Sequence, residues 1–154
     1  MTESMDALTS LRYFIPELIL LGAAFGILLL DLFVSEKKLL GSLALGGVVA
    51  ALACARCPTE PLPLFFGFFL LDPFSFFFKV AALGIIAVSL AASIAYKSLP
   101  YFGEYTALFL FLGFGLILMG SSNNLLMIFL SLEFVSILSY LLVGFLKKDS
   151  RSKE

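Results

Sequence analysis

Long apolar runs separated by short polar turns make up most of the chain. Five runs meet the length of about 20 residues that a helix needs to cross roughly 30 Å of hydrocarbon. In lipid, backbone groups must be paired within a helix or within a closed barrel, and these runs lack the alternation that a barrel strand needs. The pattern therefore predicts five spanning helices, over residues 15–34, 39–55, 72–96, 105–119 and 125–146.

Local signals mark several helix ends. Pro16 suits a first helical turn, and Asp72 followed by Pro73 predicts an N-cap and the start of the third helix. Four polar residues at 121–124 predict a tight reversal between the last two helices. The apolar run 65–69 is too short to span, so we expect it to lie in the interface or to fold over helix ends.

Composition leads to the same class of protein. Of 154 residues, 61% are hydrophobic and 14% are charged, whereas soluble domains have about 45–50% and about 25%. We predict an all-α polytopic transmembrane helix bundle, one membrane domain over residues 1–154, embedded in a lipid bilayer. The net charge of −1 argues neither for nor against a nucleic-acid partner, but the chain has no basic patch, so we expect no such partner. We expect no active site within this chain alone.

The distribution of Lys and Arg predicts the orientation. With the N-terminus outside, seven basic residues fall inside and two fall outside, which agrees with the positive-inside rule. The inner group is Lys37, Lys38, Lys97, Lys147, Lys148, Arg151 and Lys153, and the outer group is Arg12 and Arg56. The prediction is an outer N-terminus and an inner C-terminus.

Glu133 is the main candidate for chemistry, because it lies near the centre of the fifth predicted helix. A mid-membrane carboxyl group costs about 2.5–3.5 kcal/mol to insert and usually faces a bundle interior or a wet cavity. Loss of water favours its neutral form, so it could hold and release a proton. Ser136 and Tyr140 share its helix face. These two and Lys79 are the possible supporting residues. The alternative is a protonated Glu133 that hydrogen-bonds a neighbouring helix.

Lys79 lies seven residues into the third helix. We expect its long side chain to snorkel to the outer interface, and the alternative is a pair with Glu133 or another acid in the bundle. Asp72 shares its face and is predicted to serve as a cap. Glu17 and Asp31 lie at opposite ends of the first helix, where we expect water or head groups to solvate them.

Other kinds of site have little support. Without any histidine, the chain has no common metal cluster or His-based triad, so we expect no metal site. Cys54 and Cys57 could form a disulfide or redox pair, but two small apolar residues near a helix end is the simpler interpretation. Gly113 and Gly115 indicate close helix packing rather than phosphate binding.

Several stretches together resemble a known family, the subunit N members of the antiporter-like proteins in bacterial NADH:quinone oxidoreductase (respiratory complex I). The matching stretches, whose order and spacing extend over most of the chain, are Pro16-Glu17-Leu18-Ile19 with Leu30-Asp31-Leu32-Phe33, Asp72 to Lys79, Gly103-Glu104-Tyr105, Ser121 to Leu126, Leu130 to Glu133 and Tyr140 to Phe145.

The resemblance implies a function in the membrane arm, where subunits of this family are thought to move protons as electrons pass from NADH to quinone. It implies that Glu133 is the proton-relay glutamate, coupled in the family to lysines on later helices. Lys79 matches a lysine common at the start of helix three, to which we assign no role. NADH, flavin, iron–sulfur clusters and quinone would be bound by the parent complex, and no cofactor by this chain.

The resemblance covers the first third of a subunit of about fourteen helices. We therefore expect other membrane-arm subunits as partners, a second chain that carries the missing helices, and location in the bacterial inner membrane. Two alternatives stay open: part of a multi-subunit cation/proton antiporter, or a truncated structural remnant without proton transfer.

Overall fold

The computed structural model describes residues 7–34, 36–95 and 101–145. Each of the five predicted apolar segments is a helix, and one short helix precedes them. Five of the basic residues that predict the orientation, at 97, 147, 148, 151 and 153, lie outside the described residues. The elements are α1 (Ala7–Tyr13), α2 (Ile15–Asp31), α3 (Lys37–Cys54), β1 (Leu62–Leu64), β2 (Phe69–Leu71), α4 (Pro73–Ala95), α5 (Phe102–Ser121) and α6 (Leu125–Phe145).

The predicted all-α polytopic helix bundle is confirmed. Four helices of the described chain, α3 to α6, are long and apolar enough to cross a membrane. Helix α2 has 17 residues, which at 1.5 Å per residue gives a rise of about 26 Å, a little less than the hydrocarbon core. A crossing by α2, and therefore a total of five, stays a prediction.

Helix α5 lies at the centre of the bundle and packs against α2, α3, α4 and α6. The buried apolar side chains of the first four long helices form one continuous core, which includes Leu20, Val48, Ile86 and Leu110. Helix α6 is the least enclosed of the candidate spans, and α5 is its main neighbour. Many large apolar side chains face outward, as expected where lipid replaces water.

Two glycines allow α5 to approach both neighbours closely. A methyl group at Gly113 would lie 2.9 Å from Ile86 of α4, and one at Gly115 would lie 2.8 Å from Phe134 of α6. Such small residues are typical of membrane helix interfaces. Both glycines therefore serve in packing.

The predicted interfacial run folds over the helix ends as an antiparallel hairpin, in which β1 pairs with β2. Its turn uses left-handed backbone at Phe66 (φ 58°) and Gly67 (φ 84°). The backbone N–H of Asn123 donates to the carbonyl of Phe68 at 2.9 Å, which ties the hairpin to the α5–α6 turn. On the other side, the backbone N–H of Phe65 donates to the Ser10 hydroxyl of α1 at 3.3 Å.

Candidate functional site

Two charged side chains meet inside the bundle. Glu17 lies in the first turn of α2, and Lys79 is the seventh residue of α4. The Nζ of Lys79 is 2.6 Å from Oε1 of Glu17, and each side chain is only 2% exposed. The two helices make no extensive contact of their own, since each packs mainly on α3 and α5. The ion pair therefore connects helices that the apolar packing leaves apart.

This pair corrects two expectations. Lys79 does not snorkel to the interface, and water does not solvate Glu17, because both are buried. The observed arrangement is the alternative in which Lys79 pairs with an acid of the bundle, and that acid is Glu17 rather than Glu133. A buried charge without a partner would be far more costly than an exposed one. Glu17 and Lys79 can therefore each be buried only because the other is buried beside it.

One feature of the sequence could have identified Glu17 as the partner of Lys79. Helices one and three of an alternating bundle begin on the same membrane face, so their first turns lie at similar depths. Glu17 and Lys79 both follow such a start within seven residues. A lysine at that depth needs a nearby acid, and Glu17 is at the matching level.

The pair leaves one polar atom without a partner. Within the described residues, Oε2 of Glu17 is buried and accepts no hydrogen bond. A buried acceptor of this kind costs about 1–3 kcal/mol when it stays unsatisfied, and more if it is charged. Oε2 of Glu17 can therefore accept one further hydrogen bond, for example from a water molecule.

The cap predicted at Asp72 is confirmed and supports this region. The backbone N–H of Ser75 donates to Oδ1 of Asp72 at 2.7 Å, and the backbone N–H of Asp72 donates to the Ser75 hydroxyl oxygen at 2.9 Å. This reciprocal pair satisfies free donors at the start of α4. It also stabilises the first turn of α4, which helps to fix the position of Lys79, four residues after Ser75.

Glu133 has a different environment. Helix α6 buries Ser131 and Leu138, whereas Glu133 is exposed on its outward side. Large apolar side chains surround it there, with Phe129 61% and Ile137 54% exposed. The described part of the chain thus presents a single carboxyl group in the middle of a largely apolar helix face.

Two of the three predicted supporting residues, Ser136 and Tyr140, also lie on α6. Tyr140 is 76% exposed and Ser136 is half-buried, both at helical spacing from Glu133. The structure brings these two together with Glu133 on one face, and places Lys79 in a separate site with Glu17.

At the other end of the bundle, Asp31 is half-buried at the end of α2. Its carboxyl group lies against Gly103 in the first turn of α5, where an added methyl group would overlap it. A negative charge at a helix N-terminus is favourable. Asp31 thus contacts the start of α5, and because it is only half-buried, its solvation by water or head groups stays a prediction.

Cys54 and Cys57 are both free and exposed in the structure. They lie at the C-terminal end of α3 and in the segment after it, at the end of the bundle that carries the hairpin. No group of three potential metal ligands occurs among residues 7–34, 36–95 and 101–145.

Comparison with known proteins identifies relatives of one kind. A protein of Chloroherpeton thalassium named NADH-quinone oxidoreductase subunit N 2 is 36% identical over 95% of this chain. Subunit N 1 of Koribacter versatilis is 35% identical over 91%, and subunit N 2 of Sorangium cellulosum is 36% identical over 99%. The resemblance to subunit N is confirmed. No family model matches the chain.

The similarity to subunit N covers nearly all of this chain but only part of each relative. The chain spans 30% of the length of the first two relatives and 33% of the third. The exposed face of α6 thus belongs to a chain that aligns with about a third of a larger membrane subunit.

Proposed function

We propose that this chain is part of the membrane arm of a proton-translocating NADH:quinone oxidoreductase and contributes Glu133 to a proton path. The observation that carries the proposal is a lone carboxyl group on an outward, largely apolar face of α6, in a chain similar to subunit N over 95% of its length. A membrane-embedded acid on such a face calls for a polar or basic partner from outside the described residues.

We infer that the partner for this face is the part of subunit N that the alignment does not cover, on the same polypeptide or on a second one. Burial of Glu133 against further helices would remove the cost of leaving its carboxyl group in hydrocarbon. In this proposal the chain contributes part of a proton path, and NADH, flavin, iron–sulfur clusters and quinone are bound elsewhere in the assembly. The location is the bacterial inner membrane, with an outer N-terminus.

The proposal is tested by Glu133→Gln in the assembled complex. Inverted membrane vesicles are supplied with NADH, and proton uptake is followed with a pH-gradient dye while NADH oxidation is recorded in parallel. We expect fewer protons moved per NADH, because the amide keeps the size of the side chain but does not take up and release a proton as a carboxyl group does. Glu133→Asp retains the acid and should preserve part of the transport.

Glu36→Gln is the matched control, since Glu36 is exposed just before α3 and takes no part in the proposed path. Assembly is verified by purifying the complex through this chain and identifying the co-purifying subunits. Unchanged proton uptake per NADH in a fully assembled Glu133→Gln complex would refute the relay. Co-purification with antiporter subunits and no NADH dehydrogenase subunit would instead favour the antiporter alternative.

A further inference from the structure

A cavity of about 380 Å³ opens at the end of the bundle that carries the hairpin. It lies where α1 meets α2 and where α3 ends, at the level expected for the boundary between hydrocarbon and head groups. Its lining residues are Arg12, Tyr13, Ile15, Ala53, Cys54, Arg56 and Leu71. A second space of about 360 Å³ adjoins it and shares Tyr13, Arg56 and Leu71.

Two arginines from distant parts of the sequence, Arg12 and Arg56, line the same cavity. Neither Arg12 nor Arg56 forms an ion pair within the described residues. Among those same residues, the one carboxylate that lines either space is Glu60, in the adjoining one. These two are also the only basic residues predicted on the outer face, apart from the buried Lys79. Their convergence on one cavity is therefore more specific than a general attraction of basic residues to a membrane surface.

Most of the other lining residues are apolar, and exposed apolar side chains follow them along both helices. Ile15 and Ala53 form part of the wall. Leu18, one turn further along α2, is 40% exposed, and Val49, one turn back along α3, is 60% exposed. Residues spaced by three or four positions share a helix face, so an apolar chain could follow both helices away from the arginines.

Guanidinium groups bind phosphate through paired N–H donors whose planar geometry matches two phosphate oxygens. Basic pockets between membrane helices are suited to lipid head groups for this reason. We propose that the cavity binds an anionic phospholipid, with its phosphodiester between Arg12 and Arg56 and an acyl chain along the faces of Ile15 and Ala53. This site is independent of the proton path proposed for Glu133.

The chain itself provides a reporter, because Cys54 lines the cavity. The full chain carrying Cys57→Ser is reconstituted in phosphatidylcholine vesicles with or without phosphatidylglycerol, and the rate of Cys54 alkylation by a small uncharged maleimide is measured. We expect phosphatidylglycerol to slow the reaction several-fold. Native mass spectrometry of the same protein in mild detergent should show one retained phosphatidylglycerol in preference to phosphatidylcholine.

Substitutions distinguish a specific binding site for the lipid from a general electrostatic attraction to the membrane surface. Arg12→Gln and Arg56→Gln should each weaken phosphatidylglycerol binding about fivefold, the effect of one basic side chain near an anionic membrane surface. Arg56→Lys keeps the charge without the planar donors and should bind more weakly than the unmodified chain. Lys38→Gln, an equal charge change at an exposed position at the opposite end of α3, should leave binding unchanged.

Three results would overturn the proposal. The first is equal protection of Cys54 by phosphatidylcholine alone. The second is equal protection by inorganic phosphate added to phosphatidylcholine vesicles, which would assign the arginines to a free anion and not to a lipid. The third is a loss of binding in Lys38→Gln as large as that in the two arginine variants, which would show general surface attraction.

Discussion

The buried pair of Glu17 and Lys79 leads to a quantitative prediction. The two charged atoms are 2.6 Å apart, and with an effective dielectric constant of about 20 their attraction is about 6 kcal/mol. Removing each ion from water costs several kcal/mol, so the net contribution of the intact pair is close to zero. Loss of one partner leaves the other charge buried and uncompensated, which costs about 3–5 kcal/mol.

The perturbation is therefore a double-mutant cycle. We expect Lys79→Met and Glu17→Gln each to lower the free energy of unfolding by a few kcal/mol. The double variant removes both charges together and should be within about 1 kcal/mol of the unmodified chain. The two single effects would then not add, because each single variant leaves one buried charge without its partner, and the double variant leaves none.

The assay is reversible unfolding of the purified chain in mixed micelles as the fraction of SDS increases, with helix content followed by circular dichroism. Lys38→Met is the control, since Lys38 is exposed at the start of α3, and it should change stability by less than about 0.5 kcal/mol. If a single variant fails to fold, recovery of folded protein in the double variant still tests the coupling. Additive losses in the double variant would refute the reasoning.

Three further predictions follow from local contacts. Asp72→Ala should cost about 1 kcal/mol of stability, because the N–H of Ser75 loses its acceptor at the start of α4. Gly103→Ala should cost about 1–3 kcal/mol, since the added methyl group would overlap the Asp31 carboxyl group. Cys57, exposed near the predicted outer face, should react with a membrane-impermeant maleimide in intact cells.

Each of these predictions has a matched comparison. Asp72→Asn keeps a side-chain oxygen acceptor and should remain close to the unmodified stability. Gly46→Ala adds a methyl group that meets nothing within 4 Å, so a loss as large as that of Gly103→Ala would contradict the steric argument. Labelling of Cys57 only after the membrane is permeabilised would reverse the proposed orientation. Cys54→Ser isolates the signal from Cys57.

Two elements at the end of the bundle that carries the hairpin could not be predicted from the sequence, namely the hairpin itself and helix α1. Its two strands have three residues each, too few for alternation to be recognised. The hairpin depends on bonds from distant parts of the chain, such as that from Asn123 to the carbonyl of Phe68. Helix α1 lies in a segment whose composition is polar. Neither element has a local pattern strong enough to predict it.

The sequence by itself determined the solvent, the helical class and the position of the apolar segments. These follow from local properties, since a continuous apolar run in lipid must pair its own backbone groups within a helix. The sequence also placed an acid in the middle of the last helix, and its motifs carried the resemblance to subunit N that the comparisons confirm.

Only the tertiary structure decided which charged residues meet. Glu17 and Lys79 are 62 positions apart, and Arg12 and Arg56 are 44 positions apart, so no periodicity links either pair. The contact of Glu17 with Lys79 and the position of both arginines on one cavity depend on how the helices pack. That packing is set by side-chain shape and by close approach at glycines. For the same reason, only the structure could show that Glu133 faces outward while Lys79 faces inward.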